Sequence, residues 1–167
     1  MKKQNLIGAL LGVLGVIVMP PLLAAEWYYV GVNTPNTTNY FDAATIEKTK
    51  NSVTVWVKTF RHRSADDSGA WATATRFEYK CSQRTIQVLA ASDYNREGDF
   101  IKSYPASPKA SLATPDSVGD GLLEVFCSKG FPKKEDKIYF KIVNNDPLTT
   151  TKQLVEVLDS ERDSAPQ

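Results

Sequence analysis

The chain has 167 residues, with 20 Lys+Arg against 19 Asp+Glu, 42% hydrophobic and 10% aromatic residues. Charge this even excludes a generic basic nucleic-acid binder and an acidic tail protein, and the apolar fraction excludes wholesale disorder. The length fits one domain, and one His with two Cys leaves little material for a metal site.

The apolar residues are concentrated at the start. Met1-Lys2-Lys3 precedes an apolar run from Leu6 to Met19, then Pro20-Pro21 and Leu22-Leu23-Ala24-Ala25. A basic head, an apolar stretch and small residues at its end predict a secretory signal peptide over 1–25, cleaved after Ala25. The alternative is an uncleaved membrane anchor. The uninterrupted run stops before the Pro pair, short of the ~20 residues a span needs. No Cys follows the cleavage point to carry a lipid, and no second apolar segment predicts a span in the mature chain. Cleavage leaves 142 residues with 18 basic and 19 acidic side chains.

Trp27-Tyr28-Tyr29-Val30 opens the exported part as a strand, and Asn33 to Asn39 reads as a polar loop. Phe41 to Ile46 leads into a short strand. Ser52 to Phe60 is the clearest strand: Val53, Val55 and Val57 share one face, and Thr54, Trp56, Lys58 and Phe60 share the other. The Val face is the expected core. Trp56 and Phe60 need a second cover, either another element or a partner. Arg61 to Gly69 is a charged loop, Ala70 to Cys81 a strand with Trp71, Phe77, Tyr79 and Cys81 inward, and Arg84 to Ala91 a third strand. A weaker strand follows at Phe100 to Tyr104, then a Pro-rich loop from Ser103 to Pro115.

Thr114-Pro115-Asp116 reads as a helix start, with Val118, Leu122, Val125 and Phe126 on one face and Gly130 as the stop. Lys137 to Val143 alternates as a strand. Residues 146–158 fit a helix or a strand, and 159–167 are expected to fray. The fold class is α+β: an antiparallel sheet of about five to six strands packed on one main helix. A C-terminal extension over 131–167 adds a strand and a further element to the same domain.

Export decides the cysteines. Cys81 and Cys127 are the only two, and an oxidising compartment favours a bridge between them. Closing that loop stabilises by roughly 4 kcal/mol in the chain-entropy model. Neither Cys stands in a C-x-x-C pair, so a redox role is not indicated.

Motifs for catalysis are missing: no G-x-S-x-G elbow, no H-E-x-x-H, no phosphate-cradling Gly-rich loop. His62 is the one histidine, a general base or haem ligand by type, a solvated loop residue by its flanks Arg61 and Arg63. Asp66, Asp67, Asp116 and Asp120 do not match a calcium-loop spacing. Lys133, Lys134 and Lys137 make a small basic patch interrupted by Glu135 and Asp136. Trp56, Phe60, Arg61, His62 and Arg63 form the candidate binding surface.

The ordered pieces carry a resemblance. They are Glu26-Trp27-Tyr28-Tyr29-Val30, Tyr40-Phe41-Asp42, Val53-Thr54-Val55-Trp56-Val57-Lys58, Phe77-Glu78-Tyr79-Lys80-Cys81, and Pro115-Asp116-Ser117 to Val125-Phe126-Cys127. Over about residues 26–130 the chain resembles the surface-adhesin protein E family of Gram-negative bacteria. The resemblance implies a sheet on one helix, a Cys81–Cys127 bridge, and a non-enzymatic envelope protein that binds host matrix proteins or haem and can dimerise. It transfers no binding residue. The expected function is an exported binding module, periplasmic, outer-membrane-associated or secreted, with a protein partner and no cofactor beyond that haem. The rivals are a structural homodimer joined through Trp56 and Phe60, and a small exported enzyme using His62 with Asp66 or Asp67.

Overall fold

The computed structural model describes residues 24–31, 36–62, 69–131 and 139–164. The signal-peptide run up to Leu23 therefore lies outside the described residues, as do Arg63, Asp66, Asp67, Lys133, Lys134 and Lys137. The strands are β1 (Trp27–Val30), β2 (Thr37–Asp42), β3 (Glu47–Lys48), β4 (Ser52–Arg61), β5 (Ala72–Lys80), β6 (Thr85–Tyr94), β7 (Phe100–Tyr104), β8 (Ser111–Leu112) and β9 (Tyr139–Lys141). The helices are α1 (Val118–Cys127) and α2 (Pro147–Ser164).

Among the described residues nine strands join one antiparallel sheet in the order β7-β6-β5-β4-β2-β1-β9, with β3 on β4 and β8 on β6. This is larger than the expected five to six strands. β2 and β3 lie on the same flank of β4, separated by a short 3-10 turn at Ala43–Thr45 that Asp42 caps. Likewise β7 and β8 share the flank of β6, with the Pro-containing segment between them. β3 is the short strand expected after Ile46, whereas β8 has only two residues, too few to show a period, and falls in the expected Pro-rich loop.

The alternation of β4 divides the sheet into two faces. Val53, Val55 and Val57 are buried on the first face, where they cluster with Val30, Phe41 and Tyr79 and with Leu122, Leu123, Val125 and Phe126 of α1. The Phe126 ring meets Phe41 edge-on at 5.3 Å and Tyr79 at 5.0 Å, so aromatic packing joins helix to sheet. The second face has its own cluster: Tyr40, Phe60, Trp71, Ala72 and Ile142, with Trp27, Tyr29, Tyr94 and Leu148 packed against it. Trp71 falls here and not with Phe77 and Tyr79, because β5 begins only at Ala72.

Local chemistry explains the boundaries. α1 starts later than Thr114-Pro115-Asp116 suggests: Ser117 is the N-cap, its hydroxyl accepting from the Asp120 N–H at 3.1 Å, and Asp116 has φ +59°. The helix stops at Cys127, with Ser128 as C-cap and Gly130 at φ +83° in the turn beyond. Residues 146–158 are helical. Asp146 accepts the Leu148 N–H at 3.0 Å and the Thr149 hydroxyl at 2.6 Å, which satisfies the start of α2. Cys81 lies in the turn after β5 and bridges Cys127 at the end of α1, with a Cα separation of 5.5 Å.

Candidate functional site

α2 covers only part of the second face. Thr151 and Val155 are buried, and the Thr151 hydroxyl donates to the Tyr40 phenol at 3.0 Å. Farther along β4, Trp56 stays half-buried opposite Arg76, and Thr54 opposite Glu78. Arg76 reaches Glu47 at 3.0 Å. An ion pair this exposed adds little stability and its groups remain available to a partner. An indole beside a guanidinium on an open sheet face is the composition that anchors protein interfaces.

Lys58 lies on the same face, two residues from Trp56. Its Nζ is 5.3 Å from the Trp27 ring centroid and 5.6 Å from that of Tyr94. Burial pulls its pKa below the usual lysine value, and Asp146 partly opposes that shift. Beside it opens a cavity of about 200 Å³, with Phe60, Ala72, Tyr94, Gly98, Asp146 and Leu148 in its wall. The Asp146 carboxyl is held below its ordinary range, first by the Thr149 hydroxyl, despite opposing desolvation.

The residues singled out by sequence do not form one patch. Phe60 is 1% exposed and belongs to the interior, so it offers no outer surface to a protein partner. Arg61 points to the other face of the sheet. Its guanidinium donates to the Ala70 carbonyl and the Thr73 hydroxyl, both at 3.3 Å. Thr73 in turn donates to buried Asp93 at 2.7 Å, which also accepts from the Tyr104 hydroxyl at 2.6 Å. This is a satisfied structural network. The His62 Nε2 is hydrogen-bonded to the Thr38 hydroxyl, and Arg63 lies outside the described residues. Among the described residues of the set, Trp56 is half-buried on the second face and stands outside both core clusters. Sequence reading missed Lys58, Trp27, Tyr94 and Asp146 as a unit. The period-2 stripe containing Trp56 and Lys58 was the available signal.

His62 is engaged by Thr38, and both cysteines are bridged. Among the described residues no group of three or more His, Cys, Asp or Glu side chains could hold a metal ion. No described helix is long and apolar enough to cross a membrane.

The family model of surface-adhesin protein E matches residues 27–128. The chain belongs to the surface-adhesin protein E family. The span matched to adhesin E runs from β1 through α1 and includes both bridged cysteines. It ends before β9 and α2, so the cover over Tyr40 and the Asp146 wall of the Lys58 cavity come from residues beyond the adhesin-E match. No curated protein and no solved structure matches the chain.

Proposed function

We propose that this protein is an exported, non-enzymatic binding module of the bacterial envelope. It engages a protein partner through the uncovered strip of the second sheet face around Trp56 and Arg76. Adhesin-E membership supports the binding role, and the disulfide fits an oxidising compartment. The observation that carries the site is that Leu148 of α2 packs against the second-face cluster, whereas Trp56 stands outside that cluster, half-buried opposite Arg76.

The test uses the mature protein against immobilised matrix proteins, haem and envelope extracts. Micromolar binding to a protein, cut about tenfold or more by Trp56→Ala, is the expected result. Binding that Trp56→Ala and Arg76→Ala leave unchanged moves the site elsewhere, and no binding at all removes the reading.

A second reading is assembly as a homodimer. Phe140 on edge strand β9 and nearby Val143 are exposed, which favours contact there. Phe60, covered by the chain itself, cannot serve it. Sedimentation of Phe140→Ser against the wild type decides: a monomer in both excludes the dimer.

A further inference from the structure

We propose that the cavity beside Lys58 is a binding site for one aliphatic carboxylate. This goes beyond the protein-binding role of the Trp56 strip and stands or falls separately from it.

The argument begins with what satisfies the ammonium. Among the described residues Lys58 makes no ion pair and no hydrogen bond, only contacts with the faces of the Trp27 and Tyr94 rings. Cation–π attraction of this kind is weaker than a charge-assisted hydrogen bond to a carboxylate. Asp146 is near enough to act on Lys58 through its field. Its two oxygens, however, already accept from Leu148 and Thr149 at the start of α2. The ammonium therefore has donor capacity left and a cavity of about 200 Å³ beside it.

The walls define the rest of the ligand. Phe60, Ala72, Tyr94 and Leu148 are apolar and suit a short alkyl chain. Asn95 does not add a second charge partner: its amide donates to Asp99, and its carbonyl oxygen accepts from the Glu97 and Asp99 N–H groups. Gly98 closes the rim, where an added Cβ would stand 3.0 Å from the Leu148 Cδ2, at a backbone φ of +96°. Asp146 in the same lining repels a second negative charge, so the site selects a monoanion over a dianion such as hydrogen phosphate. The carboxylate can come from a free short-chain acid or from the side chain of a glutamate in another polypeptide.

Both sources are tested by NMR on the labelled mature protein, at constant ionic strength, with butyrate and with N-acetyl-glutamate amide as probes. Chloride and inorganic phosphate are the controls. The expected result is saturable shifts confined to Lys58, Tyr94, Gly98 and Leu148, with butyrate or the blocked glutamate binding more tightly according to the source. Lys58→Met should abolish them. Asp146→Asn keeps an oxygen acceptor for the helix start but removes the opposing charge, and should tighten binding about threefold or more. Shifts that grow linearly without saturating overturn the proposal, as does equal saturation by phosphate. So does an Asp146→Asn variant that binds no better, an arm that remains decisive if Lys58→Met fails to fold.

Discussion

At the scale of single residues, the second core depends on buried polar groups that find each other over long sequence distances. The Tyr40 phenol, whose pKa is raised by burial, accepts from the Thr151 hydroxyl in a fully buried contact. Thr151→Val keeps the shape and leaves the phenol without its partner. A loss of about 1–3 kcal/mol in urea unfolding is expected, because an unsatisfied buried group costs most of its desolvation penalty. A loss below about 0.5 kcal/mol would mean that the phenol finds another partner or water. A second residue-level consequence concerns the start of the exported chain. The Glu26 N–H donates to Asp42 at 2.7 Å, and the same Asp42 oxygen accepts from the Ala44 N–H at 3.1 Å. If cleavage falls after Ala25, that amide becomes an α-ammonium and the hydrogen bond becomes charge-assisted. Asp42→Asn should then destabilise the cleaved protein by about 1 kcal/mol more than a form extended by Ala24-Ala25. Equal losses in thermal melts of the two forms would show that the α-ammonium gains nothing from Asp42 over the amide.

At the scale of elements, legibility followed length and periodicity. β4 was plain because alternating Val residues oppose Thr, Trp and Lys over ten residues, and the bounds of β7 came directly from the sequence. The helical face of α1 was read from Val118, Leu122, Val125 and Phe126, with Leu123 the buried residue that reading omitted. β8 was not legible, because pairing with a neighbour and not side-chain pattern makes it a strand. Nor was the fate of Phe60. Its parity with Trp56 was correct, but what separates a buried ring from a half-buried one is a cluster with Tyr40, Trp71, Ile142 and Leu148, two of them over eighty positions later in sequence. α2 itself was ambiguous, since Thr149-Thr150-Thr151 and Val155/Val157 favour strand locally and its helical form depends on packing and its cap. That cap gives a pH prediction. The folded Asp146 carboxyl lies below its unfolded value of about 3.9, so its contribution is full above that value and is lost as pH falls through the folded pKa. The stability difference between wild type and Asp146→Asn should be constant from pH 7 to about 5 and shrink below about 4. A difference that is flat down to pH 2 would show that the charge on Asp146 does not support the helix.

At the scale of the whole molecule, α1 joins the first-face cluster and α2 reaches the second face through Leu148 and Thr151, and the two are held in different ways. α2 rests on packing with its cap and the Tyr40 contact. α1 adds a covalent tie from Cys127 to the turn between β5 and β6. The bridge closes a loop with a sequence separation of 46, enough to remove substantial entropy from the unfolded chain. It acts chiefly on that unfolded state, while Phe126 already meets Phe41 and Tyr79 in the folded one. Replacing both cysteines by alanine should therefore lower the unfolding free energy by roughly 4 kcal/mol and leave the near-ultraviolet signature of the aromatic core intact at low denaturant. The denaturant slope should rise modestly, because the unfolded chain without the cross-link exposes more surface. Loss of the aromatic signature before any denaturant is added would mean that the bridge positions α1 in the folded state. Ring packing would then be a consequence of the covalent tie and not an independent support.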